Sequence, residues 1–302
     1  VKVLVLLGGN SPEREVSLRS GKAIYEACVA NNYETSLYDP SDGKEGLKKA
    51  VKSVDIVLPI LHGVNGEDGV IQQQLEDLGA VYLGANSSAS KVCFDKEKTH
   101  QLLEDAGIRM PKHDVISLDD VRTHQLFKNP FVLKPSRSGS SIDTLIVHSV
   151  TEASLVNSEI LLNKYDHMLL EELITGQEIT VPVLGGRALP IIAIIPPVND
   201  DFSYENKYNG RTQEIVPVPT DLVLEEIQLQ AQELAIDIHG ILGARHLSRI
   251  DMFVTNEGEL VVLELNTMPG MSSQSLMPKA AAVVGLDMPK FVQELVEIAK
   301  GE

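Results

Sequence analysis

Apolar and polar positions in this chain repeat with two periods, and the change between them suggests where it divides. Apolar residues two apart share a strand face, and those three or four apart share a helix face. Over residues 1–94, short apolar runs alternate with helical stretches. Val3 to Leu7 is an apolar run stopped by Gly8-Gly9, and Ser17 to Ala30 has helical spacing. Glu34 to Tyr38 and Val54 to Ile60 predict strands, Gly69 to Leu78 a helix, and Val81-Tyr82 a short closing strand. Alternation of this kind predicts a parallel sheet covered by helices on both faces.

Asp95 to Ala106 reads as a helix ended by Gly107. Beyond His113 the pattern becomes β-rich. Runs at Phe131–Lys134, Thr144–Val147, Met168–Leu173 and Glu178–Val183 surround a helix near Thr151–Asn163. A third stretch holds a run at Ala188–Ile195, a loop rich in Pro, Asn and Asp, and a helix over Leu222–His239. A hairpin and two short helices, near Pro278–Val284 and Lys290–Ile298, complete it. The expected domains are residues 1–94 (α/β), 95–184 and 185–302 (both α+β).

The hairpin carries the densest chemistry. Two alternating apolar runs between Ala244 and Ser273 flank a turn at Asn256-Glu257-Gly258. Arg249 then points with Asp251, and Glu264 with Asn266. Two carboxylates, an amide and a guanidinium on one surface suit a divalent ion and the phosphate oxygens it bridges, magnesium or manganese before softer metals. The plain alternative is a solvated hairpin face.

Composition narrows the function classes. The chain has 302 residues, 43% hydrophobic and 23% charged, as in a globular protein of two or three domains. A formal net charge of −17 repels polyanions, and aromatics at 4% without tryptophan leave few stacking platforms, so nucleic acid is not an expected partner. No apolar run is long enough to span a bilayer. The apolar start VKVLVLLGG runs straight into PEREVS, which predicts a buried strand and not an export signal. Two cysteines, Cys28 and Cys93, predict buried thiols and exclude a cysteine metal cluster.

Five further segments carry candidate groups. GGNSPEREVS, Gly8 to Ser17, leaves a strand for a helix, where free N–H groups attract anions. It lacks the spacing of a dinucleotide fingerprint. Glu15 suits a substrate ammonium, or Glu13 and Glu15 merely decorate the first turn. HGVNGEDG, His62 to Gly69, follows a strand, where ligands of open α/β sheets bind. His62 suits a substrate carboxylate, the orientation of Glu15, or a turn; Glu67 and Asp68 suit helix capping. VLKPSRSGSSI, Val132 to Ile142, sets Lys134 before a Gly/Ser loop able to cover phosphates, though it is not a Walker A sequence. EELITGQE offers Glu171 and Glu178 to adenine and ribose or to solvent, and YENKYNGR offers Lys207 and Tyr208 within a covering loop or a plain connector.

Taken in order, GGNSPEREVSLRSG, HGVNGEDG, KPSRSGSS, the KY of ENKY, SRIDMF and ELNTMPGMSSQSLMP closely resemble the D-alanine–D-alanine ligases of the ATP-grasp superfamily over nearly the whole chain. The resemblance implies a three-domain ATP-grasp fold with an N-terminal parallel-sheet domain and ATP between the last two domains. It implies ligation of two D-alanines for peptidoglycan, in the cytoplasm, as a homodimer. Glu15 would bind the ammonium of the first D-alanine and His62 would neighbour its carboxylate. Lys96 and Lys134 would touch ATP phosphates, Lys207 the γ-phosphate, and Glu171 and Glu178 adenine and ribose. Ser140 and Tyr208 would link with Glu15. Asp251, Glu264 and Asn266 would hold two Mg²⁺, with Mn²⁺ a substitute. Arg249 and the Gly270 N–H would face the tetrahedral intermediate, and Ser275 and Leu276 the carboxylate of the second D-alanine. Alternatives are the same mechanism with another acceptor amino acid and a non-catalytic nucleotide-binding relative. The chain departs from the family's usual residues at Ser138 (glutamate), Asp143 (glycine), His246-Leu247 (a Gly-aromatic pair) and Phe202-Ser203-Tyr204. An acid at 143, beside a phosphate-covering loop, is expected to raise the cost of closing over ATP.

Overall fold

The computed structural model describes residues 1–197 and 211–301. Its N-terminal unit is a parallel sheet of β1 (Lys2–Leu6), β2 (Glu34–Tyr38) and β3 (Ile56–Pro59) in the order β2-β1-β3. Around it lie α1 (Arg14–Ala30), α2 (Lys44–Val51), α3 (Val70–Asp77) and α4 (Ser87–Phe94). From Val3 to Leu6 β1 is apolar because it is covered on both faces. Val3 and Val5 pack with Ile24 of α1, while Leu4 and Leu6 pack with Leu47 and Leu75 of α2 and α3. The closing strand at Val81-Tyr82 is only a single parallel bridge from Tyr82 to Val57. α2 and α4 were not read from the sequence, each being only eight residues, or about two turns, long.

α5 (Lys96–Asp105) starts at Asp95, whose carboxylate accepts from the Lys98 N–H, and leads into an antiparallel sheet. That sheet runs β4 (His113–Ile116), β7 (Met168–Glu172), β5 (Phe131–Lys134), β6 (Leu145–Val147), with α6 (Glu152–Lys164) against it. Phe131, Leu133, Met168 and Leu170 face its core.

The third sheet orders β11 (Gln213–Ile215), β10 (Ile192–Ile195), β8 (Gly176–Leu184), β12 (Leu247–Thr255) and β13 (Leu260–Asn266), with β9 (Arg187–Ala188) paired to β8. α7 (Glu225–Ile241) packs on Ile179, Val181, Ile250 and Met252 of one face. α8 (Leu276–Val283) and α9 (Met288–Lys300) follow. β8 therefore lies in the third sheet and not in a 95–184 unit, and the two sheets part between Glu172 and Gly176. The antiparallel pairing of β8 with β12 decides this, and local pattern cannot show such a long-range pairing. Phe291 and Leu295 of α9 share a core with β1 and β3, which joins the chain's last helix to its first sheet.

Candidate active site

The predicted hairpin face is present. In β12 and β13, Arg249 pairs with Asn266 and Asp251 with Glu264, so all four stand on the face opposite α7. Directly opposed residues bring their Cβ atoms to about 5 Å. The register shifts between Asp251 and Met252, leaving Leu263 as an extra residue. The shift lets Glu264 and Asn266 share a face with Asp251 while Val262 stays in the core. Arg249 forks onto Asp251, with Nε to Oδ1 at 2.9 Å and Nη2 to Oδ2 at 2.8 Å. Thr180 donates its hydroxyl to Asp251 at 2.5 Å, and Asn266 Oδ1 accepts the Met268 N–H. Among the described residues no three His, Cys, Asp or Glu form a metal cage. Two carboxylates and an amide nonetheless fit magnesium, which takes few protein ligands and completes its shell with phosphate oxygens and water.

Two cavities meet along this face. The larger, about 650 Å³, is lined by Glu13, His62, Glu67, Arg249, Asn266, Gly270, Ser275 and Leu276 among others. The smaller, about 520 Å³, holds Lys134, Glu171, Glu178 and Asp251 under an apolar wall of Val132, Leu173, Ile195 and Leu263. Lys96, Glu264 and the Ser138–Ser140 loop line both. Lys96 Nζ donates to the Ser138 carbonyl at 2.5 Å and lies 3.7 Å from Glu264 Oε2.

In the smaller cavity Lys134 Nζ sits 2.7 Å from Glu171 Oε2, and His100 Nε2 lies 3.1 Å from Oε1. Burial pushes the Glu171 carboxyl up, but Lys134 and His100 outweigh it and hold it below the usual value. Burial pushes His100 down against the pull of Glu171. Glu171 is thus the counter-ion of Lys134 as well as part of the cavity wall. Glu178, on β8, also lines it.

The larger cavity gives the main correction. Glu15 is exposed on α1 and lines neither cavity. Glu13 is 4% exposed and accepts a hydrogen bond from the Ser140 hydroxyl. Residues two apart on a helix point about 200° apart, so one glutamate at most can face inward. The signal was present: Glu13 extends the stripe of Val16, Ser17, Ser20 and Ile24 that α1 buries, and Glu15 lies off it. A Cβ on Gly139 would come within 2.6 Å of Glu13 Oε2, so the Gly/Ser loop closes directly over this carboxylate.

His62 Nδ1 lies 3.1 Å from the Met268 carbonyl, so it carries the proton and donates. Nε2 is buried without a partner among the described residues and keeps its lone pair. Burial first, then the Arg249 charge, lower its pKa to about 4 against the Met268 bond, so the ring is neutral. Glu67 was read as a helix cap, yet it is buried in the cavity wall and accepts the Gly63 N–H at 2.7 Å. Burial and the neighbouring Glu13 charge raise its carboxyl to about 8. Ser275 precedes α8 and bonds Ser272 Oγ at 2.9 Å. A Cβ at Gly270 would meet Ser275 Oγ at 2.8 Å, so the two positions are in close contact.

Asp143 is not an unpaired acid beside the Gly/Ser loop. Its carboxylate is taken by Lys164 Nζ at 2.5 Å and by the Tyr165 hydroxyl. Lys207 and Tyr208 lie outside the described residues.

The family model described as "D-ala D-ala ligase C-terminus" matches residues 102–297. A D-alanine–D-alanine ligase of Nitratidesulfovibrio vulgaris is 34% identical over 299 residues, covering 99% of this chain and 98% of its own. One from Actinobacillus succinogenes is 36% identical over 304 residues, covering 99% and 97%. Among solved structures, a Bacillus anthracis D-alanine–D-alanine ligase complexed with ATP superposes with a TM-score of 0.83 at 29% identity, covering 99% of this chain and 97% of that one. The VanG D-Ala:D-Ser ligase of Enterococcus faecalis superposes with a TM-score of 0.82 at 27% identity, covering 99% of each chain.

Proposed function

Since the chain belongs to the D-alanine–D-alanine ligase family, as an ATP-dependent, ADP-forming ligase of ATP-grasp fold, we propose that it joins two D-alanines into D-alanyl-D-alanine through an acyl phosphate. The observation that carries this reading is the common wall of the two cavities. Lys96, Glu264 and the Ser138–Ser140 loop touch both, so a nucleotide's terminal phosphate in one meets a carboxylate held in the other.

The donor's ammonium goes to Glu13, the buried carboxylate of the larger cavity. His62 Nε2, as an acceptor, suits that ammonium better than the carboxylate first expected for it. ATP lies in the smaller cavity, with Glu171 and Glu178 on the nucleoside side and Lys96 and Lys134 on the phosphates. Lys207 is assigned to the γ-phosphate and Tyr208 to the Ser140–Glu13 link. A donor carboxylate oxygen attacks the γ-phosphorus and ADP leaves. The acceptor's amine, deprotonated, then attacks the acyl carbon and phosphate leaves. Arg249 and the Gly270 N–H stabilise the oxyanion between those events. Ser275 and Leu276 hold the acceptor's carboxylate. Asp251, Glu264 and Asn266 are the residues to hold Mg²⁺ or Mn²⁺, two ions in the family pattern; bound there, the ions would neutralise charge on the phosphate oxygens.

The products feed peptidoglycan assembly, which places the enzyme in the cytoplasm, and the family pattern makes it a homodimer, measurable by sedimentation. Among the described residues no helix is long and apolar enough to cross a membrane. The similarity to a D-Ala:D-Ser ligase makes D-serine the leading rival acceptor. The test is ATP turnover with Mg²⁺ against D-alanine, D-serine and other amino acids, singly and in pairs, with products identified by mass. D-Alanyl-D-alanine as the dominant product supports the reading. Preference for a mixed dipeptide, or no turnover with any D-amino acid, refutes it.

A further inference from the structure

The Gly/Ser loop is held in a shape that its own backbone disfavours. Ser140, Ser141 and Asp143 all take left-handed conformations, with φ of 50°, 57° and 54°. Side-chained residues there persist only where surrounding contacts over-determine them. The contacts are present at three points. At the loop's entry, Arg137 binds Asp95 through Nε at 3.1 Å and Nη2 at 2.8 Å. At its tip, Ser140 donates to Glu13. At its exit, Asp143 receives Lys164 Nζ and the Tyr165 hydroxyl from the end of α6. Lys164 Nζ also lies 5.2 Å from the Tyr165 ring centroid, so cation and phenol converge on one carboxylate from adjacent residues. The first two anchors reach α5 and the N-terminal unit; the third ties the loop to its own sheet's helix.

We propose that Asp143, Lys164 and Tyr165 form a latch that preorganises the Gly/Ser loop over the smaller cavity and thereby sets nucleotide affinity. The proposal rests on reading that cavity as the ATP site. Glycine at 143 would accept the left-handed backbone at no cost but would offer no carboxylate. A loop ending in glycine must be ordered by the nucleotide itself, at the expense of binding energy. Here the ordering is carried by the protein before ATP arrives. The acid neutralises an α6 lysine and does not face the phosphates with an unpaired charge. These three are positioning residues: they act through the loop and touch no reacting atom.

The variants are Asp143→Gly, Lys164→Ala, Lys164→Arg and Tyr165→Phe in the full chain. Asp143→Gly and Lys164→Ala are expected to raise KM for ATP about fivefold, the scale of a partly exposed ion pair with a second hydrogen bond. kcat and KM for D-alanine should change less than KM for ATP, because Arg137–Asp95 and Ser140–Glu13 still hold the loop's entry and tip. Lys164→Arg should restore the ATP value, and Tyr165→Phe should fall between. In the absence of nucleotide, trypsin should cut after Arg137 faster in the two disabling variants, with the cut site identified by mass. Wild-type KM for ATP and wild-type cleavage in both variants overturn the latch. So does a uniform loss across kcat and both KM values with lowered Tm, which marks a structural role only. Should the wild type turn over no ATP, the functional reading fails, and the nucleotide-free cleavage rates still decide the latch.

Discussion

Two glutamates two positions apart in one helical entry have opposite fates. Glu13 faces the cavity and Glu15 faces solvent. Glu13→Gln should therefore lower kcat/KM for D-alanine by roughly thirty- to a hundredfold, the scale of a lost charge-assisted hydrogen bond in a buried site. Glu15→Gln should leave steady-state rates near wild type, and equal losses in both would undo the assignment. The neighbouring buried groups make opposite pH predictions. The His62 pKa is lowered to about 4, so its unfolded form takes up a proton near 6.5 that the folded form refuses. Its contribution is present above pH 6.5 and is lost as pH falls towards 4, by up to about 3 kcal/mol. The Glu67 carboxyl is raised to about 8, so its contribution is present below pH 4.5 and is lost as pH rises towards 8. Glu67→Gln keeps an acceptor for the Gly63 N–H. Its Tm relative to wild type should climb steadily between pH 4.5 and 8; a difference independent of pH would remove the raised carboxyl from the account.

At the scale of elements, the β12–β13 pair shows how much a period of two can specify. Ile250, Met252 and Leu265 pack against α7, and the same alternation obliges Arg249, Asp251, Glu264 and Asn266 to the other face. That face was legible in the sequence. The register shift at Asp251 was not, because a bulge answers to the partner strand. Across the pairing of β8 with β12, Gly176 lies against the other backbone. A Cβ there would approach Val254 O and come within 2.9 Å of Thr255 Cα, at a φ of 148°. Gly176→Ala should cost about 2–3 kcal/mol and lower Tm by about 5 °C or more, since backbone cannot give way as a side chain can. Unchanged calorimetric stability would contradict this packing. β8 itself read correctly as a strand, yet its sheet was misjudged, because strand identity is local and strand partnership is not.

For the whole molecule, the site exists because three sheets converge. The joint between the N-terminal unit and the third sheet is made by consecutive residues. Arg245 Nε donates to the Gly84 carbonyl at 3.0 Å, and His246 Nδ1 accepts the Gly84 N–H at 3.0 Å. The Arg245 guanidinium also lies 4.9 Å from the Tyr82 ring centroid. His246 holds a φ of 37° to do this, which gives the departure at His246-Leu247 a structural role. Arg245→Ala should cost about 1–2 kcal/mol through the lost stacking and hydrogen bond. It should also raise hydrogen exchange at the Gly84 turn; unaltered exchange there would argue against the joint.

By itself the sequence determined the strands β1 to β3 and the helices α1 and α3 of the first unit, the polar face of the β12–β13 hairpin, the order of the motifs and through them the family. Each is a local matter: a period fixes which side chains share a face about an element's own axis. Tertiary structure alone decided that Glu13 and not Glu15 lines the larger cavity, that Glu171 pairs with Lys134, that β8 leaves the middle sheet and that Asp143 is neutralised by Lys164. Those depend on which distant element covers a given face, as with Ser140 and Glu13, which bond across 127 positions. Local periodicity carries no information about such partners; only the packing of the folded chain supplies it.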